Sequence, residues 1–120
     1  MSKLTANNVT ITLNGEKVVL KPTPRAALAI STNFEGLQGA VPRLASQDIA
    51  AASFVVAAGA GIRGEAAKGL NEKIFAAGIS DLAPSLIEFV VILMNGGKRP
   101  DSMLANDDSD AEDDEGNGED

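Results

Sequence analysis

Charge is divided along this chain in a way that limits where it can fold. All 10 Lys and Arg residues fall within residues 1–100, alongside 7 Asp and Glu. Residues 101–120 carry 10 acids and no base. A segment with that much like charge, and only Met103 and Leu104 as sizeable apolar residues, cannot bury enough surface to offset the entropy of ordering it. Residues 101–120 are therefore expected to be a disordered acidic tail, and residues 1–100 a single compact domain. The net charge of −7 describes the tail, because the first hundred residues are slightly basic.

Within that domain the apolar pattern changes period. Val9-Thr-Ile-Thr-Leu13 alternates apolar and polar, the period of a half-buried strand. Asn14-Gly15 follows, a pair suited to a type I′ turn because both residues tolerate positive φ. Residues 16–21 then return as a second strand. A two-residue turn pairs Leu13 with Glu16, Ile11 with Val18 and Val9 with Leu20. That places Val9, Ile11, Val18 and Leu20 on one face. A lone hairpin is marginal in water, so helices must cover it.

From Thr23-Pro24 onward the period is helical. Thr23 is placed to cap and Pro24 to occupy the first turn. The first helix runs to about Phe34, with Ala27, Ile30 and Phe34 on one side and Gly36 as its stop. A short helical piece over 37–45 should be interrupted by Pro42. Ser46 is the expected cap of a helix over 47–60, with Asp48 in its first turn. A third helix is expected over 65–77. A fourth opens at Ser80-Asp81, carries Ile79, Leu82, Leu86, Phe89, Val90 and Leu93 as an amphipathic stripe, and stops at Gly96-Gly97. The expected fold is α+β: an N-terminal hairpin packed on a bundle of about four helices. Its expected core is Ile11, Val18, Leu20, Ile30, Phe34, Phe54, Leu70, Ile74, Leu86, Phe89, Val90 and Leu93.

The residues that usually carry chemistry are scarce. The chain has no Cys, His, Trp or Tyr. Thiol nucleophiles, disulfides and the commonest general base and metal ligand are thereby removed. The acidic run lacks the spacing and glycine of a calcium loop. Gly59-Ala-Gly-Ile-Arg-Gly64 echoes a phosphate loop, but it follows a helix and no Lys-Ser/Thr closes it, so helix termination is the better account. Glu65, Glu72, Asp81 and Glu88 fall at helix starts or on exposed faces, unlike a catalytic carboxylate pair held in a pocket. No catalytic, cofactor or metal residues are expected. Few aromatic residues argue against base stacking and hence against nucleic acid. No apolar stretch reaches the roughly 20 residues of a spanning helix, and the N-terminus lacks the apolar region of a signal peptide. Lys17, Lys21 and Arg25 gather near the end of the hairpin, where they face either an acidic partner, the chain's own tail, or water.

The order of these features resembles a family. The hairpin over 9–20 runs into Lys21-Pro-Thr23, and Ala26-Ala-Leu-Ala-Ile30 follows. Then come Ser46-Gln-Asp-Ile-Ala-Ala51, and Ala76-Ala-Gly-Ile-Ser-Asp-Leu-Ala-Pro84 leading into a long apolar helix and Gly96-Gly97. Together they are similar to the small protein encoded near the tail tube and tape measure genes of gene transfer agents and long-tailed phages, labelled both tail assembly chaperone and tail tube protein. The resemblance implies binding rather than catalysis. The implied partners are the tape measure protein and the tail tube protein, met in the host cytoplasm, with the chaperone absent from the finished particle. A structural tube subunit is the first alternative; it needs long strands that pair between subunits, and one short hairpin is visible here. A small regulatory protein acting through its acidic tail is the second. A chaperone of this kind should bind through exposed apolar helix surface. The residues expected to supply it, each off the predicted core stripe, are Leu37, Val41, Val55, Ile92 and Met94.

Overall fold

The structure, a computed structural model, describes residues 7–100. The acidic tail expected over 101–120 lies outside the described residues. Two strands come first, β1 (Val9–Leu13) and β2 (Glu16–Leu20), paired antiparallel with Leu13 opposite Glu16, Ile11 opposite Val18 and Val9 opposite Leu20. The turn is as the dipeptide demands, with φ of 54° at Asn14 and 82° at Gly15. Val9, Ile11 and Leu13 of β1 point inward between exposed Thr10 and Thr12. On β2, Leu20 is fully buried while Val18 is only half-covered against the core.

Six helical segments follow: α1 (Pro24–Phe34), α2 (Leu37–Ala45), α3 (Ile49–Ala60), α4 (Glu65–Lys68), α5 (Leu70–Ala77) and α6 (Ile79–Met94). The expectation of about four is corrected in three places. Pro42 does not interrupt α2; it sits late in the helix on an exposed side. Water can there serve the carbonyl left over by the missing N–H. The single helix expected over 65–77 is broken at Gly69 into α4 and α5. The start of α3 also moves. Asp48, not Ser46, is its N-cap and accepts a 3.0 Å hydrogen bond from the Ala51 amide, while Ser46 closes α2. Thr23 does cap α1, accepting from the Ala26 amide at 3.1 Å. Helix α1 ends at Phe34 as expected, but its left-handed C-cap is Glu35, with φ 58°, one residue before Gly36.

The fold is thus a two-stranded hairpin packed on a multi-helix bundle. Helix α6 packs against α2, α3, α5, α1 and β1, and α3 packs against α5, α1, β2, α6 and α2. Every residue buried among those described is apolar or glycine. Of the predicted core, Val18 and Phe54 are half-covered at its edge and the others are buried. Phe54 meets Phe34 edge-on at 5.8 Å between ring centroids, and the Arg43 guanidinium lies 5.6 Å from the Phe34 ring centre. These contacts join α1, α2 and α3 at one corner. Leu13, Leu44 and Val56 are core residues that a single-stripe reading leaves out, and Leu82 of the expected α6 stripe is buried with them.

Gly59 explains how closely the layers approach. A Cβ there would lie 2.9 Å from the Phe89 ring and 3.1 Å from the Leu20 Cβ. Its carbonyl also accepts a 2.9 Å hydrogen bond from the Lys21 amide, joining the end of β2 to the end of α3. At Gly78, with φ 98°, the chain bends by 112° from α5 into α6. No single described helix is long and apolar enough to cross a membrane.

Candidate partner-binding surface

The five residues expected to bind a partner do not form one surface. Val55 and Ile92 are fully buried, with 0% exposure each, and are corrected here to core residues. The error has a geometric cause. Both stand off a narrow stripe, yet α3 and α6 are covered from several sides, so a much wider arc of each is interior. Ile92 is three residues from Phe89, only about 60° away around a helix of 3.6 residues per turn. Leu37 and Val41 lie one turn apart on α2, half-buried and packed against the core. Met94, at the C-terminal end of α6, is exposed at 40%.

The outward side of α6 is the better candidate. Pro84, Ile87, Glu88, Val91 and Met94 follow one another at spacings that keep them on one face. Pro84 and Met94 are exposed, and Ile87, Glu88 and Val91 are half-exposed. Val91 was missed, although its position two residues from Phe89 turns it roughly 200° away from the core. From Pro84 onward the face is apolar except for Glu88, with exposed Asp81 a turn earlier at its N-terminal end, and the Glu88 carboxylate is not left to water alone. It receives the Arg99 Nη1 donor in an ion pair. Arg99 is itself held, donating from Nη2 to the Asn8 carbonyl at 3.0 Å and from its amide to Asn7 Oδ1 at 3.0 Å. The charge amid the apolar residues of the stripe is therefore engaged within the domain, and the side chains around it offer a ridge suited to a second apolar helix.

Two other large apolar side chains stand out. Leu28 on α1 is 69% exposed and Phe75 on α5 is 74% exposed. Neither belongs to the α6 stripe, and periodicity alone gives no reason to pick them over their neighbours.

Asp48 accepts from Ala51 through Oδ1, while Oδ2 meets Arg43 Nε at 2.7 Å and Nη2 at 2.6 Å. The Ala51 amide first, and Arg43 second, hold its carboxyl below the usual aspartate value. Among the described residues no group of three or more Asp, Glu, His or Cys side chains is placed to hold a metal ion. Glu65 faces Lys68 and Glu88 faces Arg99, so neither adjoins a second carboxylate in a hydrogen-bonded pair. No protein-family description matches this chain, and no curated protein or solved structure is significantly similar to it.

Proposed function

We propose that the protein is a tail assembly chaperone-like binding protein. On this reading it engages an apolar helical segment of a tape measure protein and helps bring tail tube subunits to it. The observation that carries the reading is the outward stripe of α6. A long helix whose outward face carries half-exposed Ile87 and Val91 and exposed Met94, with the carboxylate among them clamped, is suited to shielding another apolar helix from water. The tube-subunit reading has less support, because the described sheet is two strands of five residues each. Tube walls are built from longer paired strands. The proposed role for residues 101–120 in such a complex is to add charge that opposes aggregation.

Co-expression with the cognate tape measure protein tests the reading. Val91→Asp with Met94→Asp should abolish the complex while the isolated protein keeps its circular dichroism spectrum and melting cooperativity. Val41→Asp should weaken it less, since Val41 is partly committed to the core. Deleting residues 107–120 should lower solubility and leave the complex intact at moderate salt. A complex that survives the double substitution would refute the assignment to α6. Mass spectrometry of purified particles separates chaperone from tube subunit: a tube subunit would be present in many copies, a chaperone nearly absent.

A further inference from the structure

A second surface lies on another part of the domain and has a different chemistry. Arg25, Ala29, Phe54, Ala57, Ala58, Ile62 and Arg63 line a largely apolar cavity of about 230 Å³ between α1 and the C-terminal end of α3. Ile62 is shared with a neighbouring hollow that Lys17, Val19, Leu70 and Lys73 line, with Glu16 as its only carboxylate. The two hollows meet at Ile62 and together form a grooved surface with apolar linings and four cations, Arg25, Arg63, Lys17 and Lys73. The ion pairs of the described residues are Arg43–Asp48, Lys68–Glu65 and Arg99–Glu88, so none of the groove's cations is neutralised by another described residue. Leu28, 69% exposed, stands one turn from Arg25 on the same helix. Four unpaired cations around an apolar floor make a receptor for a segment that is both acidic and apolar.

We propose that this groove is the docking site for the chain's own residues 101–120, held through Met103 and Leu104 on the apolar floor and through the following carboxylates on Arg25, Arg63, Lys17 and Lys73. Charge complementarity is one argument, since the segment carries 10 acids and no base. The exit point of the chain is the other. Beyond α6, Gly96 and Gly97 share a hollow with Pro22, Thr23, Pro24 and Ala27, and Arg99 is fixed to Asn7, Asn8 and Glu88. The chain thus leaves the domain at the corner of Asn7, Asn8 and Pro22–Pro24, on the side of α1 that carries Ala27, and has only to round the start of that helix to reach Arg25 and Ala29. Twenty residues reach up to roughly 66–72 Å when extended, ample for a molecule with a radius of gyration of 15.1 Å. The association is electrostatic in its range, so it weakens as salt shortens the Debye length from about 30 Å at 0.01 M to about 3 Å at 1 M.

The absence of cysteine makes the test clean, because one introduced thiol can carry a spin label. Ser109→Cys in the full chain, labelled with a nitroxide, should broaden the amide signals of Arg25, Ala29, Ile62 and Arg63 at low salt. Those of Thr10, Ser80 and Pro84's neighbour Ser85 should stay sharp. The broadening should disappear at high salt and in the Arg25→Glu, Arg63→Glu variant, whose amide dispersion serves as the check that it is folded. Mixing spin-labelled chains with isotope-labelled, label-free chains should give no broadening, because the contact lies within one chain. Broadening that persists in the mixture would overturn the proposal in favour of a second copy as occupant. Even broadening over the whole domain, or none, would overturn it outright. Because Val91 and Met94 are not in this groove, the result is independent of whether α6 binds a tape measure protein.

Discussion

Helices α3 and α6 are both apolar and both central, yet they are buried by different means. Ala, Gly and Val make up most of α3, and its one polar side chain is Ser53. It has no polar face to turn toward water, so neighbours close on it from several sides, and its small residues let them approach. Helix α6 carries Leu82, Leu86, Phe89, Val90, Ile92 and Leu93 inward and keeps Pro84, Glu88, Val91 and Met94 outward. It fills space with large side chains and retains a face for something else. The two solutions meet at one contact, where Gly59 of α3 leaves room for the ring of Phe89 in α6. Closeness on one helix is what permits bulk on the other.

The comparison predicts a ranking of substitutions. Phe89→Ala empties the space that α3 vacates and should destabilise the domain by about 3–5 kcal/mol, read from chemical denaturation. That is a large part of the stability of a domain this small. An unchanged midpoint would mean that the two helices do not depend on this ring. Gly59→Ala tests the same contact from the other side. Its added methyl meets the ring at 2.9 Å and should cost about 1–3 kcal/mol. Combining it with Phe89→Leu should recover part of that loss, whereas strictly additive costs would show that the clash is with Leu20 instead.

A smaller effect is expected at the entrance to α3. Asp48→Ala removes the cap and should cost about 1 kcal/mol, with Asp48→Asn losing less because an amide oxygen still caps. The carboxyl of Asp48 is held below its unfolded value of 3.8, so its contribution is present above that pH and is lost as pH falls through the lower, folded value. The stability gap between the native protein and Asp48→Asn should therefore narrow on acidification below about pH 4. A gap that widens instead would contradict the cap and ion-pair geometry. Least of all, Val91→Ala should alter stability by no more than about 0.5 kcal/mol, as expected of a partly exposed side chain. A loss as large as that of Phe89→Ala would place the outward stripe of α6 inside the core.

What could be read in the residues follows from how local each signal is. The hairpin is legible because Asn14-Gly15 fixes turn and register together, and the alternation of β1 then decides which face is inward. Thr23-Pro24 is legible for the same reason, since cap and first turn are adjacent. The span of helix α3 is legible too, expected over 47–60 and found at Ile49–Ala60, but its facing is not, because a run such as Ala50-Ala-Ala-Ser-Phe-Val-Val56 has no polar side to break its symmetry. Val55 was therefore assigned outward and proved interior. Ile92 failed through the number of neighbours around α6, a property of the whole fold that no window of sequence contains. The Arg99–Glu88 pair is illegible in another way. Eleven residues separate its members, and Arg99 also depends on Asn7 and Asn8 more than ninety positions away.

That last attachment makes the path of the chain nearly a closed loop. Arg99 binds Asn7 and Asn8 directly, so both limits of the described fold leave from one corner. Joining them with a short Gly/Ser linker and opening the chain at exposed Arg63-Gly64, between α3 and α4, should give a circular permutant with the same packing. In such a molecule the new ends would emerge beside the Arg63 end of the basic groove.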